Sequence, residues 1–277
     1  MADLGTLYVV STPIGNMGDF SFRAVEVLRS VAVILAEDTR HSRPLLDRYE
    51  ISRPLLSYHE HNEAKTTPRL VERLQSGEDI ALISDAGTPL ISDPGQRLVQ
   101  AAVEAGIRVV PVPGASAVLA ALAASGLDAD HFTFLGFLPR KGKERAQSIA
   151  AIVSSPHTTV LYEAPARVAG SLRELADGAG DRPAVVAREL TKQFEEFRRG
   201  TLASLATYYS ESTPRGEVVI VVAGAPPVAS DESVLREDAR ALRARGLSVR
   251  DVAAELARRG APRNTAYRIA QNAGDAE

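Results

Sequence analysis

The chain contains no cysteine, which excludes disulfides, thiolate metal sites and cysteine nucleophiles together. No apolar run approaches the ~18 residues that a membrane-spanning helix needs. The opening Met1-Ala2-Asp3-Leu4-Gly5 lacks a basic region followed by an apolar core, so no secretion signal is expected. These absences predict a soluble cytoplasmic protein with no membrane partner. No G-x-G-x-x-G follows the first expected strand and no G-x-x-x-x-G-K-[ST] occurs, so dinucleotide and P-loop readings lose their mechanical basis. Nor is positive charge in excess. With 32 Lys+Arg against 35 Asp+Glu the net is −3, so RNA binding would have to use local basic patches.

What is present is α/β grammar, in 277 residues that suit two domains of ordinary size. Residues 6–12 (TLYVVST), 31–36 (VAVILA), 79–84 (DIALIS) and 107–112 (IRVVPV) read as buried parallel strands, being short, nearly continuous and β-branched. Helices are expected over 67–75 and 95–105, the second with Asp93 as its cap and Pro94 at its first position. Residues 111–114 (PVPG) break the pattern and place a domain boundary at 113/114. A small-residue helix follows over 116–125, then a second α/β set to 224 with strands at 132–137, 158–162, 184–190 and 217–223. Its helices are expected near 143–153, 167–176 and 202–209. Residues 225–230 read as a linker to a tail over 231–277. From Arg236 to Ala270 the tail carries nine arginines against four acids. Its helical patterns at 249–258 and 264–271, joined through Gly260-Ala261-Pro262, resemble a helix-turn-helix. A surface helical pair with solvated arginines is the plainer alternative.

Three strands run into loops rich in Gly, Pro, Ser and Thr: Ser11–Asn16, Ser84–Gly95 and Pro113–Ala117. Ligands of open parallel sheets collect at the carboxyl ends of strands. Glycine permits close backbone approach, and proline holds a loop in shape at low entropic cost. These loops are poor in Lys and Arg, which disfavours a polyphosphate. A ligand with a neutral aromatic base and a zwitterionic tail suits them better, with Asp85 placed for a hydroxyl or an ammonium.

The same segments carry a resemblance. STPIGN, AEDTRHS, SYHEHNE, ISDAGTPLISDPG, PVPGASA, FLGFLPRKGKER, LYEAPARV and GEVVIVVAG, in this order over roughly residues 6–224, resemble the tetrapyrrole methylase superfamily. AEDTRHS and SYHEHNE resemble its branch that 2′-O-methylates a cytidine of small-subunit (16S) ribosomal RNA. The ISDAGTP run departs from the G-x-G-D-P form of the porphyrin enzymes. The resemblance implies a class III S-adenosyl-L-methionine (SAM) methyltransferase fold: two α/β domains with the cofactor cleft between them, plus a small C-terminal helical tail. It implies the small ribosomal subunit as partner, and a homodimer. Carried over residue by residue, cofactor contact falls on Pro13, Ile83, Ser84, Asp85, Ser116 and Ala117. It extends to Gly87, Thr88, Phe137, Tyr162, Ala187 and Leu190.

Methyl transfer to a hydroxyl needs alignment and a proton acceptor. Alignment is worth ~7–11 kcal/mol, and a general base ~10²–10⁴-fold. Candidates lie in Glu37-Asp38-Thr39-Arg40-His41 and in Ser57–Glu63. If the latter is extended, His59 and His61 share one face and Tyr58, Glu60 and Asn62 the other. The catalytic candidates are Asp38, Arg40, His59 and Glu60. Histidine accepts a proton at neutral pH; Asp38 and Glu60 do so only if desolvated. A metal at His59/His61 lacks a third ligand at zinc-like spacing. Phosphate contacts are expected from Arg40 and Arg43, from Arg140, Lys141, Lys143 and Arg145 in the loop after Phe137-Leu138-Pro139, and from Lys192. Two rivals remain: a methyltransferase of a tetrapyrrole-like small molecule, and a non-enzymatic nucleic-acid-binding module.

Overall fold

The computed structural model describes residues 4–226 and 232–273. They form two compact units, 4–153 with 157–223, and 154–156 with 224–273. The expected linker at 225–230 lies mostly outside the described residues, as do the last four of the chain.

The larger unit is built on two five-stranded sheets. The first comprises β1 (Thr6–Val10), β2 (Val33–Ala36), β3 (Leu55–Ser57), β4 (Ile80–Ile83) and β5 (Arg108–Val112), in the order β3-β2-β4-β1-β5. Every pair is parallel. The continuous apolar runs are explained by burial on both faces. Val33 and Leu35 enter one core with Leu7, Ile80 and Leu82. Ile34 and Ala36 enter the opposite core with Val10, Ala81 and Ile83. Alternation still operates, but both faces are apolar.

The connecting helices take opposite faces. After β1, α1 (Phe22–Ser30) starts where the Ser21 hydroxyl accepts from Ala24 N at 3.1 Å, and it buries Ala24 and Leu28 on the Val10 side. α2 (Thr39–Arg48) buries Leu46 there too. α3 (Glu63–Gln75) and α4 (Gln96–Glu104) bury Leu70, Leu74, Leu98 and Ala102 on the Leu7 side. Neighbouring strands β1 and β4 therefore send their chains to opposite faces, which opens a crevice at their carboxyl ends.

Past Val112 the chain forms α5 (Ala117–Ser125), capped by Ser116 and stopped by Gly126 at φ +80°. The second sheet has β6 (Phe132–Phe137), β7 (Thr158–Glu163), β8 (Pro183–Arg188), β9 (Glu196–Thr201) and β10 (Val218–Val222), in the order β6-β7-β10-β8-β9. It is mixed: only β6–β7 is parallel. On one face lie α6 (Gly142–Ser154), α7 (Val168–Ala179) and α8 (Leu202–Glu211), around Ile152, Leu172, Leu205 and Ile220. On the other, Val160, Val185, Val219 and Val221 pack on α5 and on Ile14. The loop after β1 thus inserts a side chain into the second sheet's core.

The smaller unit contains α9 (Glu232–Ala244), α10 (Val249–Arg258) and α11 (Arg263–Asn272), closed around Leu235, Leu242, Val252, Leu256 and Ile269. Among the described residues, no helix is long and apolar enough to cross a membrane.

Candidate functional site

The three loops singled out in the sequence follow β4, β1 and β5, which are adjacent in the sheet, and they are laced to one another. Thr12 and Gly87 exchange backbone hydrogen bonds at 2.8 and 3.1 Å. The Thr12 hydroxyl donates to Ser84 O at 3.1 Å, and Ser84 Oγ donates to Gly87 O at 3.1 Å. Ser11 and Thr88 hydroxyls lie 2.9 Å apart. Gly114 sits so close that a Cβ there would reach within 2.9 Å of Ser11 Cβ. Gly87 holds φ +85°, while Leu90 and Ser92, with side chains, hold +73° and +69°. Such positions cost roughly 1–2 kcal/mol each and persist where surroundings over-determine them.

These loops wall a cavity of about 370 Å³, closed on its far side by the second sheet. That size falls in the small-molecule range of roughly 300–1,000 Å³. Of the residues expected at a cofactor, Asp85, Gly87, Thr88, Ser116, Ala117, Phe137 and Tyr162 line it. Pro13 and Ser84 line a second hollow of about 450 Å³, which also contains Arg40, His41 and Lys192. The two hollows share Ile14, Asp85, Ala86 and Glu217. Ile83, Ala187 and Leu190 are buried in apolar cores and line neither hollow. Ile83 is the last residue of β4 and its side chain faces the α1 side, which leaves its main chain at the strand's carboxyl end.

The first cavity is mainly apolar at its aromatic end, where Phe137 and Tyr162 rings lie 5.4 Å apart. Its polar end holds carboxylates. Asp85 Oδ1 accepts from Asp38 N at 3.1 Å, tying the end of β4 to that of β2. Burial, then the neighbouring Glu37 carboxylate, push Asp93 up to about 6, and the Ser84 hydroxyl offsets part of this. Burial and Asp85 raise Glu37 as well. Burial, with Asp93 and Glu217 nearby, pushes the Tyr162 phenol to about 12. Glu163 is fully buried at the cavity wall. It is held by Ala164 N at 2.9 Å, by Ser171 and by Arg167, and so it fixes the Ala164-Pro165 turn that lines the cavity.

Asp93 was not among the residues anticipated here. Its sequence reading as the cap of α4 is corrected, since Gly95 at φ +132° occupies that position and Asp93 faces the cavity. A signal existed in the repeat of Ile-Ser-Asp at 83–85 and 91–93.

The catalytic candidates separate. Asp38 is the N-cap of α2, accepting from Arg40 N at 2.9 Å, and its other oxygen accepts from Arg40 Nη2 at 2.8 Å. Those bonds hold its carboxyl well below the usual carboxylate range. Asp38 is thus held as the carboxylate partner of Arg40 and the cap of α2. Arg40, though exposed, already has Asp38 as its counter-ion. Ser57–Glu63 is not extended. Asn62 and Glu63 N–H groups donate back to His59 O, making a turn into α3. The His59 and His61 rings nevertheless meet edge to face at 5.9 Å. His59 Nδ1 is buried without a partner among the described residues, and Glu60 is exposed in the turn. No described group of three His, Cys, Asp or Glu is arranged for a metal.

Of the basic residues, Arg43, Arg140, Lys141 and Lys143 are exposed. Arg145 is not available to a ligand. Its guanidinium donates to Glu174, to Pro139 O at 3.0 Å and to Ser171 at 3.0 Å, bracing the loop. Lys192 is engaged too, with Glu189 at 2.9 Å and Glu217 at 3.0 Å. Its stem lies where a Cβ on Gly15 would collide with it, and Thr191 Oγ1 accepts from Asn16 N at 3.1 Å. The 189–195 hairpin thereby clamps the β1 loop. Arg145 and Lys192, expected as phosphate contacts, both serve as internal braces here, and Lys192 also lines the second hollow.

A family model of tetrapyrrole (corrin/porphyrin) methylases matches residues 6–206. Among curated relatives, the ribosomal RNA small subunit methyltransferase I of Synechocystis sp. is 47% identical over 271 residues, spanning 96% of this chain and 97% of its own. The protein of the same name from Pseudomonas aeruginosa is 51% identical over 241 residues, 86% of each. Among solved structures, uroporphyrin-III C-methyltransferase from Thermus thermophilus, complexed with S-adenyl homocysteine, is similar at TM-score 0.57 and 18% identity. That match spans 79% of this chain and 97% of that one, and at this identity it speaks for the fold alone.

Proposed function

The chain belongs to the tetrapyrrole (corrin/porphyrin) methylase family, and we propose that it is a SAM-dependent methyltransferase of small-subunit ribosomal RNA, acting on the ribose 2′-hydroxyl of a cytidine. The observation that carries the reading is the convergence of the β4, β1 and β5 loops on one cavity, in a chain whose relatives bear that name over nearly its whole length. Residues 1–113 and 114–224 are the two domains that hold the cofactor between them, and 231–277 a separate tail. The protein works in the cytoplasm, as a homodimer.

The residues fit the cofactor. Phe137 and Tyr162 suit an adenine face, and Asp85 and Asp93 suit a ribose hydroxyl or an ammonium. Ser116 and Ala117 begin α5, whose first N–H groups favour a carboxylate. When bound, SAM supplies an electrophilic methyl group on its sulfonium.

The protein's own part is alignment. Asp85 and Ala86 belong to both hollows, so a hydroxyl entering the second meets the first at that wall. Burial first, and then crowding among the Glu37, Asp85 and Asp93 carboxylates beside it, raises the proton affinity of Glu37 and Asp93. This cluster accepts the hydroxyl proton and passes it to solvent. Arg43, Arg140, Lys141 and Lys143 hold phosphates. The bulk of the rate enhancement comes from positioning, because an in-line displacement needs no covalent bond to the protein.

Incubation with methyl-labelled SAM and either small ribosomal subunits or a porphyrinoid tests this reading. Label in RNA, recovered as a ribose-methylated cytidine by nucleoside mass spectrometry, is the expected result. Label in the porphyrinoid alone would overturn it.

A further inference from the structure

The helical unit carries a surface of its own. α10 begins with Ser248 accepting from Asp251 N at 3.2 Å and ends at a four-residue turn in which Gly260 holds φ +94°. α11 then returns against it, leaving a groove of about 780 Å³ along the pair. Its floor is alanine, including Ala253 and Ala257, and its walls are Arg250, Arg258, Arg263 and Tyr267. No acidic residue lines it.

Several arginines of the unit, Arg240 and Arg245 among them, lack a carboxylate partner among the described residues, but only in this groove do two of them stand beside an exposed aromatic ring. Arg236 pairs with Glu232 at 2.7 Å, Arg268 with the same carboxylate at 3.0 Å, and Arg259 with Asp238 at 2.7 Å. Arg258 pairs with Glu255. Arg250 and Arg263 have no carboxylate partner among the described residues. Tyr267 is 50% exposed, a large amount for an aromatic ring, and stacks on no other described ring. Unneutralised guanidiniums attract phosphates, and an open aromatic face offers a platform to any unpaired base. Paired bases have no free face to give, so the pairing of these features favours a single strand. The alanine floor lets the backbone of that strand come close.

We propose that the α10–α11 groove grips a single-stranded stretch of RNA, with Arg250 and Arg263 on phosphates and Tyr267 stacked on a base. The inference rests on the RNA-substrate reading only for which RNA is held. The groove gives the enzyme a second grip on its substrate, separate from the two hollows.

The test is fluorescence anisotropy of the full chain with a labelled single-stranded RNA, a fully paired RNA and a duplex DNA, across a salt series. Tyr267→Ala should weaken single-strand binding roughly 5- to 100-fold, whereas Tyr267→Phe retains it. Arg250→Gln with Arg263→Gln should reduce the slope of log affinity against log salt by about 1.4, about 0.7 for each phosphate no longer neutralised. SAM affinity, read by calorimetry, should be unchanged in all of them, which shows that the variants are folded. Wild-type RNA affinity and salt slope in Tyr267→Ala and in the arginine pair would overturn the proposal. So would a duplex held more tightly than the single strand through these residues. If the variants lose RNA while labelled SAM marks no RNA in the wild type, the groove stands and the methyltransferase reading falls. Unaltered binding with normal RNA methylation sinks the groove alone.

Discussion

Thr12 and Gly87 exchange both of their backbone hydrogen bonds, at 2.8 and 3.1 Å, although they are far apart in the chain. This single antiparallel bridge clasps the loop after β1 to the loop after β4. Gly87 makes it with φ +85°, and a Cβ there would stand 3.3 Å from Ile14 Cγ2. The clasp joins loop conformation to pocket shape, since Ile14 and Gly87 both line the cavity.

Replacing Gly87 by alanine should therefore cost roughly 1–2 kcal/mol of stability, from left-handed backbone strain. SAM affinity should fall as well, because Ile14 must shift. Urea unfolding and calorimetric titration read the two effects. A variant unchanged in both would show the clasp to be irrelevant to the pocket.

Asp85 has two duties that substitution can separate. Its Oδ1 accepts from Asp38 N, and it lines both hollows. Asparagine keeps an acceptor for the Asp38 N–H but removes the charge. Asp85→Asn should retain wild-type stability and lose about 100-fold or more in kcat, the low end of general-base effects. Asp85→Ala should in addition lose roughly 1 kcal/mol of stability with the hydrogen bond. Full activity in Asp85→Asn would remove the carboxylate from the chemistry.

Asp93 makes stability depend on pH in a defined direction. Its folded value of about 6 lies above that of a free aspartate, so the folded chain binds the proton more tightly than the unfolded one. The stability this group contributes is present at low pH and is lost as pH climbs from about 4 to about 6, after which the cost is constant. Glu37, also raised, adds with the same sign. Asp93→Asn should stabilise the protein by about 1 kcal/mol near pH 8, allowing for solvent screening of a half-buried group, and by almost nothing near pH 4. Thermal unfolding of both proteins across that range decides it, and a stabilisation confined to acid would be the wrong sign.

The parallel sheet was legible because β1, β2 and β4 are apolar on both faces, a pattern that few other structures produce. β9 was not, because Glu196-Phe197-Arg198-Arg199 puts charge on an edge strand. α2 was obscured by Pro44 and by its many polar residues. The three loops were legible as a composition, and the strand order then brought them together. What the sequence could not disclose was where side chains point. Nothing local distinguishes Arg140, which is free in solvent, from Arg145, which is consumed by Glu174. Asp93 looked like a cap because an aspartate before a proline usually is one, and only the turn through Leu90 and Ser92 aims it into the cavity.

That contrast is itself testable. Arg145→Ala should lower stability by roughly 1–3 kcal/mol, since Ser171 and the Pro139 carbonyl each lose one of their two partners and Glu174 loses its ion pair. Arg140→Glu with Lys141→Glu should leave stability alone and weaken RNA binding, most at low salt. Chemical unfolding and filter binding over a salt series separate the two. Equal RNA binding by the charge-reversed variant at every salt would dismiss the loop as a phosphate contact.

Calorimetric titration of SAM into the wild type and into Ala117→Trp probes the shared hollow at the tips of β4, β1 and β5 most directly. Ala117 lines that hollow and opens α5, so an indole there fills the space. One saturable site per chain in the wild type, abolished in Ala117→Trp while the fold is retained, is the predicted result. No saturable heat in the wild type, or undiminished affinity in a folded Ala117→Trp, would contradict it.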